Sequence, residues 1–237
     1  MSDYALVTGG ARGIGAAIAR RLKADGMKVL IADLNDPEHD HADEAIRIDL
    51  SDAGATQKAI GRLVAGRPVT RLVNNAGIVI PATVENTDPM SLDKVAAVNL
   101  RAPIICLQTV LPAMKAAGIG RVVNISSRTA LGKELRTAYS ATKAGLHGMS
   151  KTWALELGRY GITVNAVGPG PIATELFNQA NPPDDPRTQK ITDSVPVKRI
   201  GTPADVADAV SFFCSDGSGF VTGQVLYVCG GMSIGSV

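Results

Sequence analysis

The amino-acid sequence predicts an α/β fold, with seven parallel strands in one doubly wound sheet and helices on both of its faces. Two observations carry this prediction. Short aliphatic runs of strand length alternate with longer segments of helical periodicity along the chain. The runs are apolar at almost every position, which is typical of parallel strands that are buried on both faces. Ligands of such folds bind at the carboxyl ends of the strands.

The order of the elements follows from these runs. Strand-like runs cover residues 5–7, 29–32, 45–48, 71–73, 121–125, 163–167 and 225–228. Helical periodicity covers residues 14–24, 53–65, 92–114, 139–157 and 204–213, and the last of these follows an N-cap threonine and a proline. Residues 174–196 are polar and proline-rich, so we expect a substrate lid or a mobile loop there.

Composition limits the class of protein. With 237 residues and 45% hydrophobic side chains, the chain can form one large core, and we expect a single domain over residues 1–237. The net charge of +2 comes from interspersed acids and bases, which disfavours nucleic acid as a partner. The three cysteines are far apart, which disfavours a disulfide framework or a zinc site. No window looks like a signal peptide or a membrane span. We therefore expect a cytoplasmic protein without membrane contact.

Histidines and carboxylates cluster in the run DPEHDHADE, residues 36–44. Such a run contains metal-ligand types, but polar runs between strands are usually solvated loops. We therefore expect no metal site.

A glycine-rich turn, TGGARGIG, joins the first strand to the first helix and places Gly9, Gly13 and Gly15 in G-x-x-x-G-x-G spacing. Glycines allow a tight turn and a close approach of the backbone to a pyrophosphate, to which the helix amino terminus offers free N–H groups. An ordinary turn is the alternative. The position directly after the first strand favours a dinucleotide site.

Two residues bear on which dinucleotide binds. Asp33 ends the second strand, where a carboxylate can accept hydrogen bonds from an adenosine ribose and repels a 2′-phosphate. A strand-end turn residue is the alternative for Asp33. Arg12, inside the glycine turn, could instead pair with a 2′-phosphate. We expect NAD(H) to be preferred, with NADP(H) as the alternative.

Tyr139 and Lys143 lie one helical turn apart in RTAYSATKAG, among small residues that leave room for a ligand. For either residue alone, a packing tyrosine or a solvated lysine is the alternative. A tyrosine with the ordinary pKa of about 10 serves as a base near pH 7 only if its phenolate is stabilised by about 4 kcal/mol. A lysine ammonium and an oxidised nicotinamide could supply most of that. With the glycine turn upstream, the pair predicts a proton-transfer site.

Several motifs, in this order along the chain, resemble the classical short-chain dehydrogenase/reductase family. They are TGGARGIG, NNAG at 74–77, VNL at 98–100, NISS at 124–127, YSATK at 139–143, PGPIAT at 169–174 and TGQVLYVCGG at 222–231. The resemblance implies a Rossmann-like seven-stranded domain that moves a hydride between nicotinamide and an alcohol or carbonyl. It also implies a homotetramer, with a homodimer as the alternative.

The resemblance assigns a set of residues to the cofactor, which lie around the glycine turn, after the second, third and fourth strands, in the catalytic segment and after the sixth strand. They are Gly9, Arg12, Gly13, Ile14, Gly15, Asp33, Leu34, Asp49, Leu50, Asn75, Ala76, Gly77, Asn99, Tyr139, Lys143, Pro169, Gly170, Ile172 and Thr174.

The resemblance also assigns the catalytic roles. Tyr139 transfers the proton, Lys143 lowers its pKa and binds the nicotinamide ribose, and Asn99 holds a water of the proton relay. A serine orients the substrate oxygen. It is Ser127 when counted from the end of the fifth strand and Ser126 when counted back from the tyrosine. A one-residue shift in the register of the fifth strand would turn the serine side chain to the opposite face of the sheet. The count from the end of that strand keeps the register, so we favour Ser127.

Three functions remain open at this point. We expect an NAD(H)-dependent oxidoreductase of small secondary alcohols and ketones. A 3-oxoacyl-(acyl carrier protein) reductase is the alternative, and a nucleotide-sensing protein without activity is the third. Arg128 and Lys133 hint at an anionic or polar substrate, with ordinary surface charge as the alternative. Cys229 stands where the family usually has the aspartate of V-D-G-G, so a thiol replaces the family's carboxylate at this position.

Overall fold

The computed structural model describes residues 3–37, 41–182 and 184–234. Within these ranges the strands are β1 Tyr4–Thr8, β2 Lys28–Asp33, β3 Glu44–Arg47, β4 Val69–Asn74, β5 Gly120–Ile125, β6 Ile162–Pro169 and β7 Val225–Val228. They form one parallel sheet in the order β3-β2-β1-β4-β5-β6-β7. The chain runs from β1 outward to β3 and returns to β4, so a crevice opens between β1 and β4 at their carboxyl ends. The predicted fold class is confirmed.

Helices cover both faces of the sheet. In the described ranges they are α1 Gly13–Ala24, α2 Ala53–Val64, α3 Pro89–Ala96, α4 Ala102–Ala117, α5 Thr137–Leu157, α6 Glu175–Ala180, α7 Pro186–Ser194 and α8 Pro203–Cys214. Helices α1 and α8 pack on one face through residues such as Ile18 and Val210. Helices α2, α4 and α5 pack on the other through Leu63, Met114 and Leu157. Each face therefore has its own apolar core, as a three-layer fold requires.

A buried chain of amides ties the sheet to α5. The strand register places Asn74 of β4 beside Asn124 of β5. The Asn74 Nδ2 donates to Asn124 Oδ1 at 2.8 Å, and the Asn124 Nδ2 donates to the Ser150 hydroxyl of α5 at 2.9 Å. Buried polar groups need such partners, and these two bonds restrict how α5 can pack on the sheet. The chain therefore holds α5 at a set position against the carboxyl ends of β4 and β5.

The single helix predicted over residues 92–114 is interrupted in the structure. A π-helical turn, Ala97–Arg101, joins α3 to α4. A π turn inserts one extra residue into a helix and is frequent at functional sites. Asn99 lies in this turn and is buried. Apolar periodicity continues through the interruption, which is why the sequence predicts one continuous helix.

The lid region predicted over residues 174–196 contains two short helices, α6 and α7. Both begin at capping residues: Thr174 accepts a hydrogen bond from the Phe177 N–H at 3.2 Å, and Asp185 accepts one from the Arg187 N–H at 2.8 Å. The two helices bury few side chains, so an apolar pattern is absent from the sequence. Their capping residues and Pro186 are the signals that could have predicted them.

The helical run Pro89–Ala117 is long and apolar enough to cross a membrane by length and composition, with a mean hydropathy of 1.4. A core helix of a folded domain passes the same test of length and composition as a membrane span. Half of this window is buried inside the protein, where α4 packs against α2 and β4. That packing is typical of a core helix.

The polar run at 36–44 only partly falls in the described ranges, because residues 38–40 lie outside them. His41 is fully buried, so the expectation of a solvated loop is wrong for that residue. Among the residues described, no group of three or more potential metal ligands comes together.

Candidate active site

The glycine turn lies at the mouth of the crevice between β1 and β4. Gly9 has φ +64°, and a Cβ there would lie 2.8 Å from the Cα of Ala76. A side chain at Gly15 would collide with the carbonyl oxygen of Gly9. Arg12 is the N-cap of α1, and its side chain makes no capping hydrogen bond. The turn is therefore closed to side chains, while the first N–H groups of α1 have no side-chain acceptor, which suits a pyrophosphate.

A cleft of about 250 Å³ extends from this turn over the ends of β2 and β4. The predicted cofactor residues that line it are Gly9, Arg12, Asp33, Leu34, Asp49, Leu50, Asn75, Ala76 and Gly77. Sequence reasoning missed four further lining residues, Asn35, Ile48, Ile78 and Val98, although each is next to a predicted residue or motif. The structure thus brings nine of the predicted cofactor residues together along one wall.

Asp33 lies in this cleft with its carboxylate already oriented. Its Oδ2 accepts a hydrogen bond from the Ala11 N–H, and its Oδ1 accepts one from the Asn35 N–H, both at 2.9 Å. Oδ1 also accepts from the Asn35 Nδ2 at 3.3 Å. Each carboxylate oxygen has about two acceptor sites, so capacity for a ribose hydroxyl remains on Oδ2. The bond to Ala11 connects Asp33 directly to the glycine turn.

Asn75 ties the end of β4 to the end of β1. Its Nδ2 donates to the carbonyl oxygens of Thr8 and Gly9 at 3.0 and 2.8 Å. The Thr8 hydroxyl accepts from the N–H groups of Asn75 and Ala76, both at 3.1 Å. Asn75 therefore acts on the shape of the glycine turn through the backbone.

The segment after β6 closes the other side of the turn. Pro169 ends β6, the Gly170 N–H bonds to β7 at 2.9 Å, and Ile172 bridges to the segment before α8. A Cβ at Gly13 would lie 3.5 Å from the methyl group of Thr174. Thr174 of PGPIAT thus lies beside the glycine turn although it is far from it in sequence, whereas Gly170 and Ile172 contact β7 and the segment before α8.

Asn99 and Lys143 meet under Gly77. The Asn99 Oδ1 accepts from the Ile78 N–H at 2.9 Å, and its Nδ2 donates to the Ile78 carbonyl and the Thr142 hydroxyl, both at 3.1 Å. A Cβ at Gly77 would lie 3.2 Å from the Lys143 Nζ and 3.3 Å from the Asn99 Oδ1. Asn99 therefore links the π turn, the loop after β4 and α5 at the place where the predicted catalytic residues converge.

Burial dominates the ionisation of Tyr139 and Lys143. It lowers the pKa of the Lys143 ammonium to about 8. It also raises the pKa of the Tyr139 phenol, which the hydrogen bond with Ser127 and the charge of Arg136 lower in part. The Lys143 Nζ is 5.5 Å from the centroid of the Tyr139 ring. In the protein alone, desolvation of the phenolate outweighs the effects of Ser127 and Arg136, so the lowering of the pKa by Lys143 together with an oxidised nicotinamide stays a prediction.

The adjacent serines have different surroundings. The Ser126 hydroxyl donates to the carbonyl oxygen of Lys143 at 2.8 Å and lies 2.7 Å from the His147 Nε2, so that nitrogen must donate to Ser126. Ser127 instead hydrogen-bonds the Tyr139 side chain, and its Oγ accepts from the Thr129 N–H at 3.1 Å. Ser127 is therefore the serine whose hydroxyl lowers the pKa of the Tyr139 phenol, whereas the hydroxyl of Ser126 is engaged by Lys143 and His147.

Comparisons with known proteins identify the family of this chain. A family model described as enoyl-(acyl carrier protein) reductase matches residues 9–233. An acetoacetyl-CoA reductase of Rhizobium meliloti is 39% identical over 98% of this chain and 98% of its own length. The chain belongs to the classical short-chain dehydrogenase/reductase family. As a member of this family, it is an oxidoreductase of CH–OH groups with a nicotinamide nucleotide.

Solved structures of similar proteins extend the likeness of this short-chain dehydrogenase/reductase to the whole fold. The aldohexose dehydrogenase of Thermoplasma acidophilum, in ligand-free form, superposes with a TM-score of 0.92 at 31% identity, over 99% of this chain and 95% of its own. A blue fluorescent protein from a metagenomic library, in complex with NADPH, gives a TM-score of 0.88 at 33% identity, over 97% of both chains. A nucleotide cofactor is thus a property of structural neighbours.

One departure from the family pattern has a local explanation in this short-chain dehydrogenase/reductase. Cys229 follows β7 and is buried. Its Sγ donates to the Ser233 hydroxyl at 3.3 Å. The thiol thus bonds within its own turn, where the family pattern has a carboxylate.

Proposed function

We propose that this protein is an NAD(H)-dependent oxidoreductase that interconverts a small secondary alcohol and its ketone. The observation that carries the proposal is the buried Lys143, whose Nζ lies 5.5 Å from the centroid of the Tyr139 ring, while the Ser127 hydroxyl lowers the pKa of that phenol. The bound nicotinamide supplies the hydride chemistry at the carbonyl carbon. Side chains of this protein orient the substrate and exchange the proton with its oxygen.

In this proposal, Tyr139 holds the proton that is exchanged with the substrate oxygen. Ser127 orients that oxygen, since its hydroxyl lowers the pKa of the Tyr139 phenol. Lys143 supplies positive charge, and its burial with a pKa of about 8 keeps this charge sensitive to a bound ligand. Asn99 holds the loop after β4 against α5 and so keeps the pair in place.

The preference for NAD(H) rests on Asp33. Its carboxylate lines the cleft beside the glycine turn, where it accepts from ribose hydroxyls and repels a 2′-phosphate. Arg12, exposed in the same cleft, is the residue that favours NADP(H). We place Asp33 above Arg12 because the carboxylate is held by two backbone N–H groups, whereas Arg12 makes no capping bond.

We further propose a cytoplasmic homotetramer. Support comes from large apolar side chains exposed near the ends of α5 and α8 and on β7, namely Leu155, Phe212, Phe220 and Leu226. Exposed apolar groups of this size favour an association surface. Sedimentation of the purified protein measures the number of subunits.

The second candidate function is reduction of a 3-oxoacyl thioester, and the likeness to an acetoacetyl-CoA reductase favours it. Initial rates separate the two candidates. The rates are measured with NADH and with NADPH on neutral secondary ketones, acetoacetyl-CoA and an acetoacetyl carrier protein. The first proposal expects the highest kcat/KM with NADH and a free ketone. Highest kcat/KM on a thioester with NADPH would assign the second function instead.

A further inference from the structure

Three cations lie on the chain between the catalytic serine and the catalytic tyrosine. Arg128 directly follows Ser127 and begins the 3-10 turn Arg128–Leu131. Arg136 lies at the N-cap of α5, three residues before Tyr139, and Lys133 lies on the connection between them. The segment between Ser127 and Tyr139 therefore carries three positive charges.

The three cations act on one another and on the reaction centre. Burial lowers the pKa of Lys133, and the charges of Arg136 and Arg128 lower it further. The charge of Arg136 also reaches the Tyr139 phenol and lowers its pKa. Like charges that are close enough to shift one another's pKa repel. Holding these side chains together therefore costs free energy unless a bound anion offsets the repulsion.

No carboxylate of the described residues forms an ion pair with these cations, whereas Arg71, Arg187 and Arg199 pair with aspartates. Glu134 is the one acid on the segment, and it is exposed. The Arg136 guanidinium donates only to the Leu135 carbonyl oxygen, at 3.0 Å. The cluster thus keeps hydrogen-bond donors for a ligand.

The segment is held in a defined conformation. Gly132 and Leu135 have φ of +108° and +61°, and the second value is costly for leucine. The Ala82 N–H donates to the Leu135 carbonyl at 3.2 Å, and Ala82 forms a bridge with Arg136. A cavity of about 430 Å³ lies against this segment, and Lys133, Arg136 and the acidic Glu134 line its wall. Strained backbone that neighbours hold in place is common at ligand sites.

We propose that the substrate carries an anionic group, a carboxylate or a phosphate, that Arg128, Lys133 and Arg136 bind while its carbonyl oxygen lies at Ser127 and Tyr139. This inference rests on the proposed function, because it names the substrate class of the same site. Arginine pairs well with the planar oxygens of both groups, so the shared chemistry is an oxyanion.

The test measures binding of two matched pairs by calorimetry, in the presence of saturating NAD⁺. One pair is acetoacetate and methyl acetoacetate, and the other is dihydroxyacetone phosphate and dihydroxyacetone. We expect one charged member to bind about tenfold more tightly than its neutral partner, as removal of a charged hydrogen-bond partner predicts. The pair that shows the preference identifies carboxylate or phosphate. Added salt should reduce it.

Variants assign the preference to the cluster. Arg136→Gln and Arg128→Gln should each remove most of it, whereas Arg136→Lys should retain a part. Lys58→Gln, an exposed lysine of α2, makes the same change of charge elsewhere and should retain all of it. Equal or undetectable binding of both members in both pairs overturns the proposal, as does a preference that survives in both glutamine variants. A charge effect confined to an acetoacetyl carrier protein also overturns it and assigns the cluster to a protein partner.

The proposed function is judged separately, by turnover of the neutral ketones with NADH. Turnover of neutral ketones without any preference for charge would leave the oxidoreductase proposal standing and remove only the inference about the anion.

Discussion

The ammonium group of Lys143 donates a hydrogen bond to the backbone carbonyl of Ile125 at 2.7 Å, at the carboxyl end of β5. The bond joins the catalytic helix to the strand that precedes Ser127. Its Nζ also lies 5.5 Å from the Tyr139 ring centroid, so the charge is near the phenol while being held by the strand. Lys143 therefore affects both the stability of the folded protein and the charge near the Tyr139 phenol.

Lys143 should make stability depend on pH. Burial lowers its pKa from 10.5 to about 8, so between these values the unfolded chain binds one more proton than the folded protein. Stability therefore rises with pH through that window, and below it the burial penalty is present in full. From pH 8 to pH 10 the wild type should gain about 2 kcal/mol of unfolding free energy more than Lys143→Met. Urea denaturation at each pH measures the two slopes, and parallel slopes would contradict the expectation.

Tyr139 should titrate at different pH with and without nucleotide. Burial raises the pKa of its phenol in the protein alone, whereas a cationic oxidised nicotinamide nearby would lower it. The absorbance of tyrosinate, taken as the difference between wild type and Tyr139→Phe, follows this one residue among four tyrosines. We expect a midpoint above 10 without NAD⁺ and a lower one with it. A midpoint that NAD⁺ leaves unchanged would count against Tyr139 as the proton-transfer group.

Tyr139→Phe should abolish most turnover and keep the cofactor site. Loss of a general acid or base reduces the rate by about 10² to 10⁴-fold. The phenyl ring retains the packing on α5, so NADH binding, followed by its fluorescence, should match the wild type. A variant that binds NADH and turns over at the wild-type rate would disprove the assigned role.

The two adjacent serines provide a matched pair of variants. Ser127→Ala should reduce kcat by about 10²-fold with little change in stability, because this hydroxyl faces the phenol. Ser126→Ala should cost about 1 to 3 kcal/mol of unfolding free energy, since the buried His147 contact loses its partner. The opposite pattern, with kcat lost mainly in Ser126→Ala, would transfer the catalytic role to Ser126.

Asp33→Ala should shift the choice of cofactor. Removal of the carboxylate deletes both an acceptor for the ribose and the repulsion of a 2′-phosphate, so the ratio of kcat/KM for NADPH to that for NADH should rise about tenfold or more. Asp49→Asn, an exposed position in the same cleft, is the control and should affect both cofactors alike. An unchanged ratio in Asp33→Ala would mean that Arg12 or another group sets the preference.

The sequence predicted the fold well where the signal is local. Continuous apolar strands and the turn TGGARGIG are properties of neighbouring residues, and the structure places each predicted strand within a few residues of its expected position. The interruption at Ala97–Arg101 and the helices α6 and α7 were missed. Apolar periodicity persists through the π turn and is weak in the two short helices, so it reports neither.

By itself, the sequence determined the order of strands and helices, the glycine turn and the residue types Tyr139 and Lys143, because spacing and periodicity are written along the chain. Only the tertiary structure decided that the Ser126 hydroxyl is engaged by the Lys143 carbonyl and by His147. It also decided the direction in which the pKa of Tyr139 shifts. These outcomes depend on burial and on contacts between residues brought together by folding, and such contacts set hydrogen bonding and desolvation through space.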